Sequence, residues 1–111
     1  MGFFEQRRQR REAARVLAAL RAVDGRQIRY VTRREPDAAG NPTETVLGKG
    51  GRIWMRADEA RITAADREIF ACPAGELELG ELLSGDGMVF KGRNRLTGQV
   101  ETVVAYYLYF R

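Results

Sequence analysis

The sequence predicts an α+β fold in which an N-terminal amphipathic helix is followed by a mostly antiparallel, rolled β-sheet. Two observations lead to this class. Apolar residues recur at helical spacing up to Val23, and from Ile28 onwards they alternate with polar ones between frequent turn signals. We expect about six or seven short strands that form a partial barrel or sandwich, because an open antiparallel sheet leaves an apolar face uncovered.

The chain is expected to form a single domain over residues 1–111. No repeat, low-complexity tract or linker divides the sequence, and its length is usual for one hydrophobic core. Within this domain we expect a basic helix at 1–24 and a β-rich body at 26–111.

The helix is predicted by the spacing of its apolar residues and by the absence of helix breakers. No Gly or Pro occurs between Phe3 and Val23. The apolar positions lie three and four residues apart, on one helical face: Ala13, Val16, Leu17, Leu20 and Val23. Gly25 supplies a stop, since glycine adopts the left-handed conformation after a helix at little cost. We therefore expect the helix to end near residue 23.

The first two strands are predicted to form a hairpin. The period becomes two, with Ile28, Tyr30 and Thr32 on one side and Arg29, Val31 and Arg33 on the other. Residues 36–42 are typical of a loop, and 44–47 can pair back as the second arm.

Further turns and strands follow the hairpin. We interpret Gly48-Lys49-Gly50-Gly51 as the next reversal, because glycine supplies the positive φ of tight turns. Residues 76–83 fit both a strand and a helix, and we favour a short helical turn at about 80–84. The remaining strands are predicted at 52–56, 60–63, 68–72, 88–91 and from about 99 to the last residue.

Charge and cysteine content limit the classes of function. The net charge is +4, and residues 1–35 alone carry +6, so the basic character belongs to the N-terminal part. Cys72 is the only cysteine, which excludes an intramolecular disulfide and removes the need for an oxidising compartment. The chain has no apolar run of the ~20 residues that cross a bilayer and no signal-peptide pattern. We therefore expect a small cytoplasmic protein.

Residues that could support catalysis are few. The chain has no histidine, which removes the usual general base, the usual activator of a Ser or Cys nucleophile and the commonest metal ligand. Cys72 lies in an apolar run and is interpreted as structural. Four carboxylates could hold a metal ion or act as an acid–base pair: Glu76, Glu78, Glu81 and Asp86. A solvated acidic face is the simpler interpretation, so we expect no enzyme, no cofactor and no metal site, and we identify no small-molecule substrate.

Trp54 is the first candidate contact residue. If the period of two holds, it shares a strand face with Arg52 and Arg56, opposite Ile53 and Met55. An exposed Trp beside guanidinium groups suits a protein contact or stacking on a base. The alternative is a Trp covered by the helix, with the arginines directed outward.

The last strand supplies the second candidate surface. It is apolar on both faces, with Val100, Thr102, Val104, Tyr106, Leu108 and Phe110 on one and Val103, Ala105, Tyr107 and Tyr109 on the other. One face therefore needs a cover, either the apolar side of the helix or a second subunit. We expect a protein interface that includes Tyr107, Tyr109 and Trp54.

The leading functional hypothesis is a non-catalytic interaction module that self-associates as a homo-oligomer, or docks a protein partner, through an aromatic β surface. The alternative is a nucleic-acid-binding protein whose helix contacts phosphates through Arg7, Arg8, Arg10, Arg11 and Arg15. Binding of this helix to an anionic membrane surface is a weaker alternative. A carboxylate-based, metal-dependent enzyme is the last.

Overall fold

One α-helix and seven strands make up the part of the chain that the structure describes. A computed structural model describes residues 3–108 of the chain, with side chains from Arg11 to Leu108. The elements are α1 (Phe3–Val23), β1 (Gln27–Pro36), β2 (Pro42–Arg56), β3 (Glu59–Ala64), β4 (Arg67–Pro73), β5 (Glu78–Glu81), β6 (Gly87–Arg93) and β7 (Val100–Tyr107). A short 3₁₀ helix, Ala74–Glu76, lies between β4 and β5. The predicted order, one helix and then a β-rich body, is confirmed.

All seven strands belong to one antiparallel sheet, in the order β4-β3-β2-β1-β7-β6-β5. The first four strands form one meander and the last three form another, and the first and last strands pair at the centre of the sheet. Within residues 3–108 no ladder joins β4 to β5. The sheet is therefore not closed, and the predicted partial barrel or sandwich is not confirmed.

The predicted reversal at Gly48–Gly51 is wrong, because β2 runs through it as one strand of 15 residues. The glycines here allow a close approach to β3. A Cβ atom on Gly51 would lie 1.7 Å from the carbonyl oxygen of Thr63, and one on Gly48 would lie 2.9 Å from the Cβ of Ala64. Glycine inside a strand commonly marks such a contact between backbones.

The predicted helical turn at 80–84 is also wrong. Residues 78–81 form β5, which pairs with β6. Leu79 is partly buried against the core, whereas Glu78 and Gly80 on either side of it are exposed, which is the alternation of a half-buried strand. Leu83 is fully exposed in the turn that follows, so the leucines do not form one helical face.

The helix packs over the inner side of the sheet. It contacts β2, β5 and the 3₁₀ helix, and its buried residues Val16, Leu20 and Val23 belong to the main hydrophobic core. The same core contains residues from the strands: Ile28, Val31, Ile53, Ile62, Phe70, Phe90, Val103, Ala105 and Tyr107. Helix and sheet therefore share one core, and one side of β7 faces it.

The sheet bends so that β4 approaches the far end of the strand order. The rings of Phe70 on β4 and Phe90 on β6 lie 6.2 Å apart between their centroids. Asn94, which is fully buried after β6, accepts a hydrogen bond from Ala71 N at 3.2 Å and donates one to Ile69 O at 3.0 Å. Its side chain also donates to Glu101. The Asn94 side chain therefore connects the edge strand β4 to the loop between β6 and β7 by hydrogen bonds.

Candidate functional site

Tyr107 lies on the inner face of β7. Only 3% of its surface is exposed, and the guanidinium carbon of Arg26 lies 3.6 Å from the centroid of its ring. Its hydroxyl is buried without a hydrogen-bond partner among the described residues. This burial does not support Tyr107 as a contact residue. Tyr109, the other tyrosine predicted for the interface, lies outside the described residues.

An aromatic pair occupies the opposite, outward face of the sheet. Tyr30 on β1 and Tyr106 on β7 are register partners, and their ring centroids lie 4.7 Å apart. Both rings are half-buried, and Val46 on β2 is 51% exposed. We call this surface the tyrosine face and define it by Tyr30, Thr32, Arg34, Glu44, Val46, Val104 and Tyr106, of which Thr32 and Val104 are buried. It combines two aromatic side chains with an exposed aliphatic one.

A carboxylate is held in the tyrosine face by two hydroxyl groups. The side chains of Thr32 and Tyr106 both donate to Glu44 Oε1, at 2.6 Å and 2.8 Å. Arg34 Nε lies 3.9 Å from the same oxygen. The hydrogen bond from Thr32, with those other two interactions, lowers the pKa of Glu44 from its ordinary value, although burial acts in the opposite direction. The face therefore carries a fixed negative charge next to a positive one.

Trp54 lies on the outward face of β2, with Ile53 fully buried on the other side of the strand. Its indole Nε1 donates to Thr63 Oγ1 at 3.1 Å. The guanidinium carbons of Arg56 and Arg52 lie 4.7 Å and 5.9 Å from the ring centroid. We call Arg52, Trp54, Arg56 and Thr63 the tryptophan face. The structure brings these residues together as the period of two predicts.

The charge of Arg61, which lies next to the tryptophan face, is neutralised by carboxylates. Arg61, the register partner of Trp54, pairs with Glu59 at 3.0 Å and with Glu68. Arg95 also bonds Glu59, whose carboxylate is mostly buried. By contrast, neither Arg52 nor Arg56 has a carboxylate partner within the part of the chain that the structure describes. The net positive charge next to Trp54 therefore belongs to these two arginines.

A groove of about 530 Å³ runs alongside Trp54. It is lined by Gln27, Ile28, Arg29, Gly50, Gly51, Arg52, Trp54, Thr63, Ala64, Asp66 and Leu108. Arg52 is anchored at its rim, because its NH1 donates to the carbonyl oxygen of Gly25 at 2.8 Å. The described lining contains two arginines, of which Arg29 pairs with Asp86 at 3.7 Å, so the cation without a carboxylate partner among the described residues is Arg52.

The four carboxylates considered for catalysis do not converge. Glu78 lies 4.0 Å from Lys91, and Asp86 lies 3.7 Å from Arg29, whereas Glu76 and Glu81 are exposed. Among residues whose placement is described, no group of three or more Asp, Glu, His or Cys could hold a metal ion. The absence of enzymatic activity stays a prediction.

The arginines considered for phosphate contacts are described only in part. The side chains of Arg7, Arg8 and Arg10 lie outside the described residues. Arg11 is exposed, and Arg15 pairs with Glu12 at 3.0 Å on the exposed side of α1. This part of α1 thus gives no site geometry for a nucleic acid.

Comparisons with known proteins supply no relative: no family model, no curated protein and no solved structure matches the chain. No helix within the described range has both the length and the apolar composition required to span a bilayer.

Sequence patterns do not single out Tyr30, Tyr106 or Glu44. The alternation does place Tyr30 with Thr32, and Tyr106 with Val104, on one side of each strand. The side of β1 that carries Tyr30 and the side of β7 that carries Tyr106 form one face only because of the register between these strands. This register shifts between Ile28 and Tyr30. Glu44 joins them from a position 62 residues away from Tyr106, for which no local signal exists.

Proposed function

We propose that the protein is a non-catalytic interaction module that self-associates through the tyrosine face. The observation that carries this proposal is the outward pair of Tyr30 and Tyr106 beside the exposed Val46. Tyrosine suits such a contact, because its ring buries apolar area while its hydroxyl keeps a polar partner. Tyr106 has this partner in Glu44.

The distribution of charge favours a second copy of the chain at the tyrosine face. A two-fold interface uses the same surface of both copies, so a contact between one residue of the first copy and another of the second also occurs with the copies exchanged. Arg34 and Glu44 both belong to this face, so each copy offers one cation and one anion to the other. The tryptophan face, in contrast, would bring the unneutralised Arg52 and Arg56 of two copies together, which costs Coulomb energy.

As part of the same proposal, the seven strands act as the wall of a partial barrel with the tyrosine face on its outer side. The contact between Phe70 and Phe90, from strands far apart in the sheet order, supports this curvature. The outward face would then be convex, and an interface on it would be centred on the aromatic pair.

Val46→Arg tests the proposed interface. We expect sedimentation equilibrium across the micromolar range to give a dimer for the wild type and a monomer for V46R, because a guanidinium in the apolar part of the interface would have to be desolvated. Leu83→Arg is the matched control, since Leu83 is an equally apolar, fully exposed residue in the turn after β5. L83R should sediment as a dimer, like the wild type.

Two outcomes would overturn the proposal. One is a wild-type chain that stays monomeric at high micromolar concentration. The other is a dimer that V46R leaves intact, which would place the contact elsewhere. Both variants change exposed side chains, so their far-ultraviolet circular dichroism should match that of the wild type.

A further inference from the structure

We propose that the groove beside Trp54 binds a nucleobase that carries a phosphate, either as a mononucleotide or as an unstacked nucleotide of a single strand. This site is separate from the tyrosine face and does not depend on self-association. It follows from three properties of the groove: its size, its flat aromatic wall and an anchored arginine that has no carboxylate partner among the residues that the structure describes.

The groove has the size and lining of a small-ligand site. Its volume of about 530 Å³ lies within the usual range of about 300–1,000 Å³ for such sites. Trp54 and Leu108 give it apolar walls. At Gly50 and Gly51 only backbone lines the groove, so a ligand can approach the main chain closely.

Trp54 supplies the flat wall. Its bond to Thr63 fixes the indole plane, so a planar ligand meets a ring whose orientation is already set. The guanidinium carbons of Arg56 and Arg52 lie 4.7 Å and 5.9 Å from the ring centroid, as cation–π contacts. Arg56 is exposed, so a base that stacks on this ring would displace its side chain. Every nucleobase has a π face, which makes stacking on Trp tolerant of base identity.

Arg52 supplies the anion contact. One of its nitrogens is bound to Gly25 O, which fixes the guanidinium at the rim and leaves further N–H donors of a group that has five. A planar guanidinium matches the oxygens of a phosphate in a two-bond geometry. Asp66, the carboxylate among the described lining residues, can accept from a ribose hydroxyl or an exocyclic amine. An acidic peptide would use Arg52 but would place no aromatic base on Trp54.

The fluorescence of Trp54 reports directly on the groove, because it is the only tryptophan of the chain. We would titrate the protein with AMP, adenosine, inorganic phosphate, a short oligoadenylate and a polyglutamate peptide. AMP is expected to quench the emission in a saturable way, with adenosine and phosphate each binding at least about tenfold more weakly. Tighter binding of the oligoadenylate would identify a single strand as the source, and equal affinity per nucleotide would identify the mononucleotide.

Two variants test the assigned contacts, with the affinity for AMP as the readout. Arg52→Gln should weaken binding at least about tenfold, because the phosphate loses a charged donor. Leu108→Glu, at an exposed position on the apolar wall, should weaken it similarly by repelling the phosphate. Arg93→Gln, an exposed arginine outside the groove, should change nothing.

The proposal fails if AMP produces no saturable quenching, or if polyglutamate binds as tightly as AMP. It also fails if Arg52→Gln and Leu108→Glu both bind AMP like the wild type. The Leu108 variant keeps the test valid if Arg52→Gln unfolds, since Arg52 also bonds the turn at Gly25.

Discussion

Cys72 shows how burial controls the chemistry of a single residue. Its thiol is buried in the core, and a Cβ atom on Gly92 would lie only 2.7 Å from Sγ. Burial raises the pKa of this thiol from 9.0 to about 11, and the negative charges of Glu76 and Glu59 add to the effect. The thiol form therefore predominates at neutral pH, which makes Cys72 a poor nucleophile.

The same shift predicts a loss of stability at alkaline pH. The unfolded chain releases the Cys72 proton near pH 9, whereas the folded chain keeps it up to about pH 11. The contribution of the thiol is complete below pH 9 and is lost as the pH rises through this interval. Urea unfolding of the wild type should show a steeper fall in the free energy of unfolding between pH 9 and 11 than Cys72→Ala. Tyrosine ionisation contributes equally to both proteins and cancels in this comparison. Equal slopes would therefore contradict the raised pKa of the Cys72 thiol.

Among the elements, β2 can pair closely with β3 only because residue 51 is a glycine. At Gly51 the backbone of β3 approaches so closely that a Cβ atom would overlap the carbonyl oxygen of Thr63. Separation of β2 from β3 would remove ladder hydrogen bonds next to the buried pair Ile53 and Ile62. The glycine is therefore required by the sheet itself.

Gly51→Ala is predicted to lower the free energy of unfolding by about 3 kcal/mol or more, as for severe overpacking. Gly80→Ala is the control, because a Cβ atom at this strand position meets nothing within 4 Å. Chemical denaturation of both variants measures the difference. If the two alanine variants were equally stable, the close approach of β3 at Gly51 would be refuted.

Register irregularities decide which side chains share the outer face. The pairing of β1 with β7 shifts between Ile28 and Tyr30, and its pairing with β2 shifts between Val31 and Thr32. A shift of one residue moves a side chain to the other face of a sheet. The alternation in β1 alone therefore predicts a strand but not the partners of Tyr30 across it.

On the scale of the whole molecule, α1 and the sheet share one hydrophobic core. Leu20 of α1 is fully buried in the core that also contains residues of β1, β2, β3, β4, β6 and β7. Without the helix these strands would expose their apolar inner side to water. Domains of this size with a single core usually unfold in one transition.

Leu20→Ala tests whether α1 and the sheet unfold together. We expect it to destabilise the protein by about 2–5 kcal/mol through lost burial and a cavity. Helix content from circular dichroism and Trp54 fluorescence should report the same shifted transition, although Trp54 lies on the outer face of β2. Ala14→Ser, at an exposed position of α1, should shift neither signal appreciably. Separate transitions for the two probes would show that the helix unfolds independently.

The sequence by itself determined the helix up to Val23, the β-rich body and the placement of Trp54 with Arg52 and Arg56, because each depends on local periodicity. The tertiary structure alone decided that β2 continues through its glycines and that β7 turns Tyr107 inward and Tyr106 outward. Both sides of β7 are apolar, so hydrophobicity could not choose between them. That choice required the position of α1 on the sheet and the shifts in register, and both depend on contacts between residues distant in sequence.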